Sequence, residues 1–433
     1  KSGPYNNISE VHLGPFYYYW ILPALLISNL NPIGPSIFSA IISILTLIII
    51  YFGLKKNFNG YIAITSTAIY SISTFVINQS RSSSPAFYVP FFSSLIFILI
   101  LELSKNSKSF YYFLIGIFLG LLVQLHYSNI PLILILIGSP YLLKFKISFR
   151  NIICVIIGTS LASSGLILFE LRHEFFISKS ILAQLAGVPS NSNLIWPLAL
   201  LDSYIKSTQL FFPAKIQSLQ FIGPILFLIT PIFIWKKNFS NNLNIYYKFA
   251  FFWVIVNIIC ITFFPGEIQK HYFNLSLLPI LVLTSLLIYK SEKTYKLGII
   301  IFIFIIFANT LLIDISSDHG NTMPKGLNLH VIKKASERIY KNQIVENKSF
   351  NVASVLDGDT RARPYRYFLE ANGLKPNDVE HYPDSQLIYL ISRDVEKSIM
   401  EYSVWEVSSF APFNIKNLGE INNGIYLYKL RKI

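Results

Sequence analysis

Charged and histidine side chains interrupt the long apolar runs of this 433-residue chain at only a few places. Two stretches, "LFELRHEFF" and "GEIQKHYF", carry several such groups each. The first carries Glu170, Arg172, His173 and Glu174, and the second carries Lys270, His271 and Tyr272. At the edge of an apolar run, cations of this kind can bind a phosphate group, and arginine does so with a planar pair of donors. The alternative is a helix end whose charges meet water and whose lysine extends to the membrane surface.

Three further stretches place single polar groups beside apolar runs. Arg81 is the charged residue of "QSRSSSPAFYVP", and "QLHYSN" contains His126 and Tyr127. "VHLGPFYYYW" contains His12 shortly before a run of aromatic residues. A single histidine near a membrane is more often a hydrogen-bonded structural group than a ligand. These residues therefore indicate a site only if the fold brings them together.

The composition is typical of a membrane protein, with 53% hydrophobic and 13% charged residues, whereas soluble domains carry about 25% charged residues. Residues 1–314 contain 20 Lys and Arg against 8 Asp and Glu, and residues 315–433 contain 16 against 14. A basic excess spread between apolar runs is typical of membrane loops and not of nucleic-acid binding. The two cysteines lie within apolar runs and indicate neither a disulfide framework nor a zinc site.

Ten apolar runs approach the length of about 20 residues that a helix needs to cross a bilayer. They lie near 34–54, 60–78, 84–103, 110–125, 129–143, 151–169, 220–235, 247–264, 273–289 and 297–313. We therefore predict that residues 1–314 form an all-α polytopic membrane domain, a helix bundle with about ten spanning helices.

The distribution of positive charge predicts how this bundle is oriented. Thirteen Lys and Arg residues fall in alternate short loops, which the positive-inside rule places in the cytoplasm. The outer side then receives residues 1–33, the loops 79–83, 126–128 and 265–272, the large loop 170–219, and the tail. Because its two flanks both lie outside, the stretch 14–29 cannot cross and is predicted to be a juxtamembrane helix in the outer interface. All five polar clusters fall on this outer side.

The tail, residues 315–433, changes in composition and periodicity. "NLHVIKKASERIYKN" and "PYRYFLEANG" are typical of helices, and "FNVASVLD", "QLIYLISR" and "GIYLYKL" are typical of strands. Alternating helices and strands predict a small C-terminal α/β domain, which the charge distribution places outside the cytoplasm.

In "HLGPFYYYWILPALL", "NPIGPSIFSAIISILTLIIIYFGLKKNF", "GLLVQLHYSNIPLIL" and "LFELRHEFF", the chain resembles a known family. It is similar to the GT-C glycosyltransferases of the dolichyl-phosphate-mannose–protein mannosyltransferase superfamily, which include the aminoarabinose transferase of lipid A. The resemblance covers most of residues 5–290. It implies an enzyme of the plasma membrane that transfers a sugar from a polyprenyl-phosphate donor to a lipid, glycan or protein acceptor on the outer face.

The resemblance also implies roles for the candidate residues. Basic residues of the family stabilise the leaving lipid phosphate, and we expect Arg172, Lys270 and Arg81 to do so here. The pocket for the donor is expected to be lined by His12, Tyr17, His126, Tyr127, Glu170, His173, His271 and Tyr272. No cofactor is expected to be required, no metal ligands are predicted, and a divalent metal is possible without support from any motif.

The family's general base, an aspartate in the first outer loop, has no match in this sequence, since Glu10 lies too close to the aromatic stretch. We expect the base and the first transmembrane helix upstream of Lys1, so that residues 1–433 alone lack transferase activity. An inactive relative is the alternative.

Two other functions stay open. A flippase or polysaccharide polymerase of lipid-linked sugar traffic would be non-catalytic toward this donor, but a flippase is expected to carry charges in mid-helix, where this chain has almost none. The second open function is a structural or binding module in which the tail is the active part.

Overall fold

Two compact units make up the chain, Lys1–Ile313 and Asp314–Ile433. The computed structural model describes residues 5–6, 11–187, 196–213, 221–235, 241–263, 267–313, 324, 326–356 and 359–433. Within these residues the first unit is helical, apart from a short antiparallel pair of strands, β1 (Tyr5–Asn6) and β2 (Val11–His12).

The first unit contains fifteen described helices. They are α1 (Phe16–Ile27), α2 (Ile33–Asn57), α3 (Gly60–Ile72), α4 (Thr74–Ser80), α5 (Val89–Leu103), α6 (Ser109–Leu125), α7 (Pro131–Leu143), α8 (Phe149–Ala162), α9 (Ser164–Arg172), α10 (Phe176–Gly187), α11 (Trp196–Thr208), α12 (Ile222–Trp235), α13 (Asn241–Thr262), α14 (Leu277–Tyr295) and α15 (Gly298–Thr310). Short 3-10 segments lie at Pro85–Tyr88, Tyr127–Asn129 and Lys270–Ser276. Helix α14 forms the centre of the unit, because nearly all of its apolar length is buried by the other helices.

Each of the ten predicted apolar runs contains helix, but the described helices do not confirm ten full spans. The segments that are long and apolar enough to cross a membrane are Ile33–Asn57, Pro85–Leu103, Leu243–Thr262 and Lys270–Lys293. Two more are reached if each of the bent pairs α3–α4 and α8–α9 counts as one span. Helix α6 has 17 residues and is therefore about 26 Å long, less than the roughly 30 Å hydrocarbon core. The number of ten is not confirmed, because caps and breaks shorten the described helices within runs that are continuous in composition.

The predicted interfacial stretch 14–29 contains α1, an apolar helix of 12 residues with Pro23 inside it. Trp20 of this helix packs against the rings of Phe38, Tyr88 and Phe92, with centroid separations between 5.4 and 6.2 Å. Helix α1 is thereby attached to α2 and α5. Its position at the membrane surface stays a prediction.

A polar junction holds the 62° bend between α3 and α4. Ser73 donates to the carbonyl oxygen of Leu210 at 2.7 Å, and its Oγ accepts a hydrogen bond from the first turn of α4. The side-chain oxygen of Asn309, on α15, accepts from the backbone N–H of Thr74 at 2.9 Å, and its amide donates to the carbonyl oxygen of Phe211 at 3.1 Å. Because Asn309 is wholly buried, these bonds satisfy the backbone groups that the bend exposes, as the interior of a membrane protein requires.

Glycine allows α6 and α8 to pack with their backbones in close contact. A Cβ on Gly116 would lie 2.3 Å from the carbonyl oxygen of Val155, and one on Gly158 would lie 2.4 Å from that of Phe113. Thr159 adds a hydrogen bond from its hydroxyl to the carbonyl oxygen of Gly116, at 3.1 Å. Small residues drive helix association in membranes by permitting this approach.

Gly116→Ala is expected to destabilise the first unit by about 1–3 kcal/mol, the usual cost of overpacking. The effect opposes the better helix propensity of alanine, since the new methyl group meets a backbone oxygen that cannot turn away. The measurement is thermal unfolding in detergent, with Gly60→Ala as control because a Cβ there has nothing within 4 Å. Equal melting temperatures for the two variants would contradict close backbone packing.

The second unit is a small α/β fold around a four-stranded sheet of order β3-β4-β6-β5. Strands β3 (Phe350–Ser354) and β4 (Leu387–Ser392) are parallel, and β6 (Ile425–Lys432) is antiparallel to both β4 and β5 (Phe413–Asn422). The helices are α16 (Leu329–Glu346), α17 (Arg363–Ala371), α18 (Glu396–Ile399) and α19 (Trp405–Ser408). One apolar cluster joins α16 and α17 to the sheet, and a second covers its other face with α18 and α19.

Arg366, on α17, is the polar centre of this second unit. Its Nε donates to the carbonyl oxygen of Arg361 and its Nη1 to that of Asn377, both at 2.7 Å. Its Nη2 donates to the side-chain oxygen of Asn351 and to the hydroxyl of Tyr382. With 7% of its surface exposed, this guanidinium ties α17 to β3 and to the loop before β4.

Candidate functional site

The stretch that begins at His12 is fixed against the turn after α6. Tyr127 donates from its hydroxyl to the carbonyl oxygen of His12 at 2.7 Å, and the backbone N–H of Gly14 donates to the carbonyl oxygen of Gln124 at 3.2 Å. A Cβ on Gly14 would lie 2.4 Å from Cγ of Gln124. The glycine of "HLGP" therefore permits a close approach to α6. Two of the sequence-predicted residues, His12 and Tyr127, are in direct contact.

Tyr17 connects α1 to the loop between α4 and α5. Its hydroxyl lies 3.0 Å from the hydroxyl of Ser83, which lies 3.0 Å from that of Tyr88. The chain of hydroxyls continues from Tyr88 to Ser39 of α2, at 2.7 Å. Tyr17 is thus a bridging residue that holds this loop. Arg81 lies exposed at the end of α4, where the same loop begins.

Three predicted aromatic and imidazole rings form one cluster. The ring of His126 lies 5.3 Å from that of His271 and 5.1 Å from that of Tyr272, and the last two are 4.8 Å apart between centroids. The structure therefore joins the "QLHYSN" turn to the segment that begins at Lys270. These were separate clusters in the sequence.

His126 is held in its neutral form. Its Nδ1 accepts a hydrogen bond from the backbone N–H of Ser128 at 3.2 Å. Burial, and after it the neighbouring His271, lower the pKa of His126 to about 3. A neutral ring that accepts at Nδ1 carries its proton on Nε2, so His126 presents a hydrogen-bond donor whose protonation does not change near neutral pH.

Two uncharged amides that the sequence reasoning missed connect this cluster to the loop after α4. Gln79 and Asn274 donate to each other's side-chain oxygens at 3.3 and 3.1 Å, and Asn274 also donates to the carbonyl oxygen of Ala86 at 2.7 Å. Both side chains are buried. The only signal in the sequence was an amide within an apolar run, which is costly unless it is paired.

The carboxylate of Glu170 caps a helix. Its carboxylate accepts from the backbone N–H groups of Ile177 at 2.9 Å and Ser178 at 2.8 Å, and from the hydroxyl of Ser178 at 2.5 Å. These donors belong to the first turn of α10, whose positive end attracts an anion. Arg172 and His173 are exposed at the end of α9, where the ring of His173 lies 4.3 Å from that of Phe169.

Helix α11 carries a lysine that the sequence reasoning did not select. Lys206, in its last turn, forms an ion pair with Asp202 at 2.7 Å. Helix α11 packs against the segment that begins at Lys270. A second cation therefore lies on a helix that contacts this segment. Arg172 and Arg81 lie exposed at the ends of α9 and α4.

The described residues can thus supply a neutral imidazole donor, several hydroxyl groups and two ammonium groups. Within the residues that the structure covers, no group of three His, Cys, Asp or Glu side chains is positioned to hold a metal ion. Donors of these kinds can bind an anion beside a hydroxyl-rich ligand.

Among known protein families, one family model matches part of the chain. The model of the dolichyl-phosphate-mannose-protein mannosyltransferase family matches residues 13–169. These residues include Gly14 and Pro15, the turn at His126 and the whole of α2 to α8. No curated protein sequence matches the chain significantly.

Solved structures share the fold along nearly the whole chain. ArnT from Cupriavidus metallidurans in the apo state aligns with 98% of this chain and 89% of its own, with a TM-score of 0.59 at 9% identity. The same protein bound to undecaprenyl phosphate aligns over the same shares with a TM-score of 0.58 at 8% identity. The oligosaccharyltransferase of Archaeoglobus fulgidus, in a complex with Zn and sulfate, aligns with 87% of this chain and 59% of its own, with a TM-score of 0.51 at 15% identity.

The resemblance found in the sequence is therefore confirmed at the level of the superfamily. The apolar helices of the first unit and the helical architecture shared with ArnT agree with it. Residues 13–169 are thus similar to the dolichyl-phosphate-mannose-protein mannosyltransferase family, nearly the whole chain shares the fold of ArnT, and its apolar helices are those of an integral membrane protein.

Proposed function

We propose that this protein transfers a sugar from a polyprenyl-phosphate donor to an acceptor on the outer face of the plasma membrane. The observation that carries the proposal is the cluster of His126, His271, Tyr272 and Lys270 at one end of the helical unit. It gains support from ArnT, whose fold the chain shares and which has been solved with undecaprenyl phosphate bound.

In the proposed reaction, an acceptor oxygen attacks the anomeric carbon of the donor sugar. The bond between that carbon and the phosphate oxygen breaks, and its electron pair stays on the phosphate. The acceptor proton passes to a general base, for which the resemblance implies an aspartate in the first outer loop. Lys270 offsets the negative charge that grows on the phosphate. We assign Arg172 and Arg81 to the entry of the lipid phosphate.

The neutral residues of the site have a second role in this proposal. Sugars are bound through hydroxyl groups, which need both donors and acceptors. His126 offers a donor at Nε2, and the hydroxyls of Tyr17, Ser83 and Tyr88 offer both. We propose that His12, Tyr127 and His173 border this pocket, with the C-terminal unit outside the cytoplasm.

The proposal predicts that the protein binds undecaprenyl phosphate and releases it from a sugar-loaded form. In nanodiscs, binding should saturate and should be lost with undecaprenol, which has the same chain without the phosphate. Release of undecaprenyl phosphate is measured by thin-layer chromatography, with the native protein and undecaprenyl-phosphate hexose as the donor. Equal binding of the two lipids would overturn the proposal. Movement of intact undecaprenyl-phosphate hexose across a vesicle, without its consumption, would favour a flippase instead.

A further inference from the structure

A small polar cavity lies inside the first unit, where α2, the bent pair α3–α4, α5 and α14 meet. The space open to the centre of a water molecule there is about 10 Å³, close to the least that holds one water. The residues of its lining that carry a hydroxyl or an amide are Ser39, Ser43, Thr46, Tyr70, Gln79 and Ser80. A polar lining around a space of this size favours a bound water over a dry cavity.

The hydroxyl groups on α2 form a row along the cavity. Ser39, Ser43 and Thr46 are spaced by four and three residues, so they lie on one face of the helix. The hydroxyl of Ser39 lies 2.7 Å from that of Tyr88, and the hydroxyl of Ser43, one turn further along α2, lies 3.1 Å from that of Tyr70 on α3. The cavity therefore lies beside two separate hydrogen-bonded groups.

The hydrogen atoms of the first group can be counted from Tyr17, which donates to the carbonyl oxygen of Ser83 at 3.1 Å. Three contacts between hydroxyls follow, from Tyr17 to Ser83, from Ser83 to Tyr88 and from Tyr88 to Ser39. Each hydroxyl has one hydrogen, so these contacts take theirs from Ser83, Tyr88 and Ser39 in turn. Ser39 thus directs its hydrogen toward Tyr88 and offers lone pairs to the cavity.

Thr46 and Ser80 also offer lone pairs. The hydroxyl of Thr46 donates to the carbonyl oxygen of Ile42 at 2.7 Å, and that of Ser80 donates to the carbonyl oxygen of Ile77 at 2.8 Å. Both oxygens keep the capacity to accept. The cavity therefore has hydrogen-bond acceptors on α2 and on α4.

Donors come from the other polar residues of the lining. The bond between Ser43 and Tyr70 uses one of their two hydroxyl hydrogens. The amide of Gln79 uses one N–H on Asn274 at 3.3 Å and retains a second. A water molecule both donates and accepts, so it matches this mixed lining. An alkali cation would need acceptors alone and would meet the hydrogens of these groups.

We propose that the cavity binds one water molecule, which accepts from the Ser43–Tyr70 pair or from Gln79 and donates to Ser39 and Thr46. The water joins the two hydrogen-bonded groups, so that one path runs from Tyr17 on α1 to Tyr70 in the last turn of α3. It thereby connects the loop that Tyr17 holds with the bend between α3 and α4. This site is independent of the proposed transfer reaction.

The test is X-ray radiolysis of the full chain in nanodiscs, followed by mass spectrometry of the oxidised residues. Radiolysis converts a bound water into a hydroxyl radical that oxidises the side chains beside it. We expect Tyr70 to be oxidised several-fold faster than Tyr112. Tyr112 is the matched control, because both rings are 3% exposed and each hydroxyl lies close to that of a serine. Equal oxidation of the two tyrosines would overturn the proposal.

Ser43→Val tests the place of the water, because it replaces the hydroxyl by methyl groups that extend into the cavity. Oxidation of Tyr70 should fall to the rate of Tyr112, whereas Ser71→Val, at an exposed serine of α3, should leave it unchanged. If Ser43→Val does not fold, Thr46→Val keeps the shape of the side chain, removes an acceptor and should lower the oxidation of Tyr70. An unchanged rate in the folded variant would contradict the site. A rate that changes when sodium is replaced by choline would indicate a cation and overturn the assignment to water.

Discussion

Replacing Lys270 by alanine is expected to weaken the binding of undecaprenyl phosphate about ten- to hundred-fold. A hydrogen bond to a charged group contributes roughly 1.5–3 kcal/mol, and each 1.4 kcal/mol corresponds to about tenfold in affinity. Lys270 begins the segment that also carries His271 and Tyr272, and it therefore adjoins the ring cluster along the chain. Affinity is measured by titration of the protein in nanodiscs.

Lys179→Ala is the control for this prediction, because Lys179 is an exposed lysine on α10, away from the segment that Lys270 begins. Arg172→Ala belongs in the same series. The sequence predicted an effect as large as that of Lys270, whereas the structure exposes Arg172 at the end of α9. If Lys270→Ala binds as tightly as the control, Lys270 is only a charge at the membrane edge and the phosphate site lies elsewhere.

Arg366→Met is expected to destabilise the second unit by about 3–5 kcal/mol. The change keeps most of the apolar volume but removes four hydrogen bonds, and it leaves two backbone carbonyls and the side chains of Asn351 and Tyr382 without these donors. Buried groups that lose their partners cost about 1–3 kcal/mol each. Hydrogen exchange of the amides of β3 and β4 in the full chain measures the local free energy of unfolding.

Arg363→Met is the matched control, because Arg363 is an exposed arginine on the same helix. We expect a change within about 0.5 kcal/mol there, as for surface substitutions in general. Similar exchange rates in the two variants would show that the buried guanidinium does not hold this unit together.

The sequence predicted those elements whose pattern is local. Strands β3, β4 and β6 and helices α16 and α17 follow the periods expected of them. Strand β5 was missed, because "FNIKNLGEIN" is an edge strand with mostly polar residues and a glycine at positive φ. Its conformation depends on pairing with β6, which no local pattern expresses.

The same limit explains why the sequence predicted neither the bends in the helices nor all residues of the site. Nothing near Ser73 resembles a helix break, since the run contains neither proline nor glycine there, and the bend is fixed by Asn309 on a distant helix. For the site, charge and aromatic clusters were visible and several of them meet. Gln79 and Asn274 were not predicted as site residues. The sequence does not show which group an amide binds, and their mutual hydrogen bonds appear only in the fold. Lys206 had a local signal, the four-residue spacing from Asp202, which was overlooked within the large outer loop.

Asn309 and Thr74 are bonded across 235 positions of the sequence, which has a consequence for biosynthesis. A ribosome adds about 5–20 residues per second, so Thr74 enters the translocon roughly 10–50 s before its partner is made. Throughout that interval the break between α3 and α4 lacks the side chain that completes it. The early half of the bundle therefore matures only when α15, the last helix of its unit, is inserted. A nascent chain that stops short of Asn309 leaves an unsatisfied bend for membrane quality-control proteases to recognise.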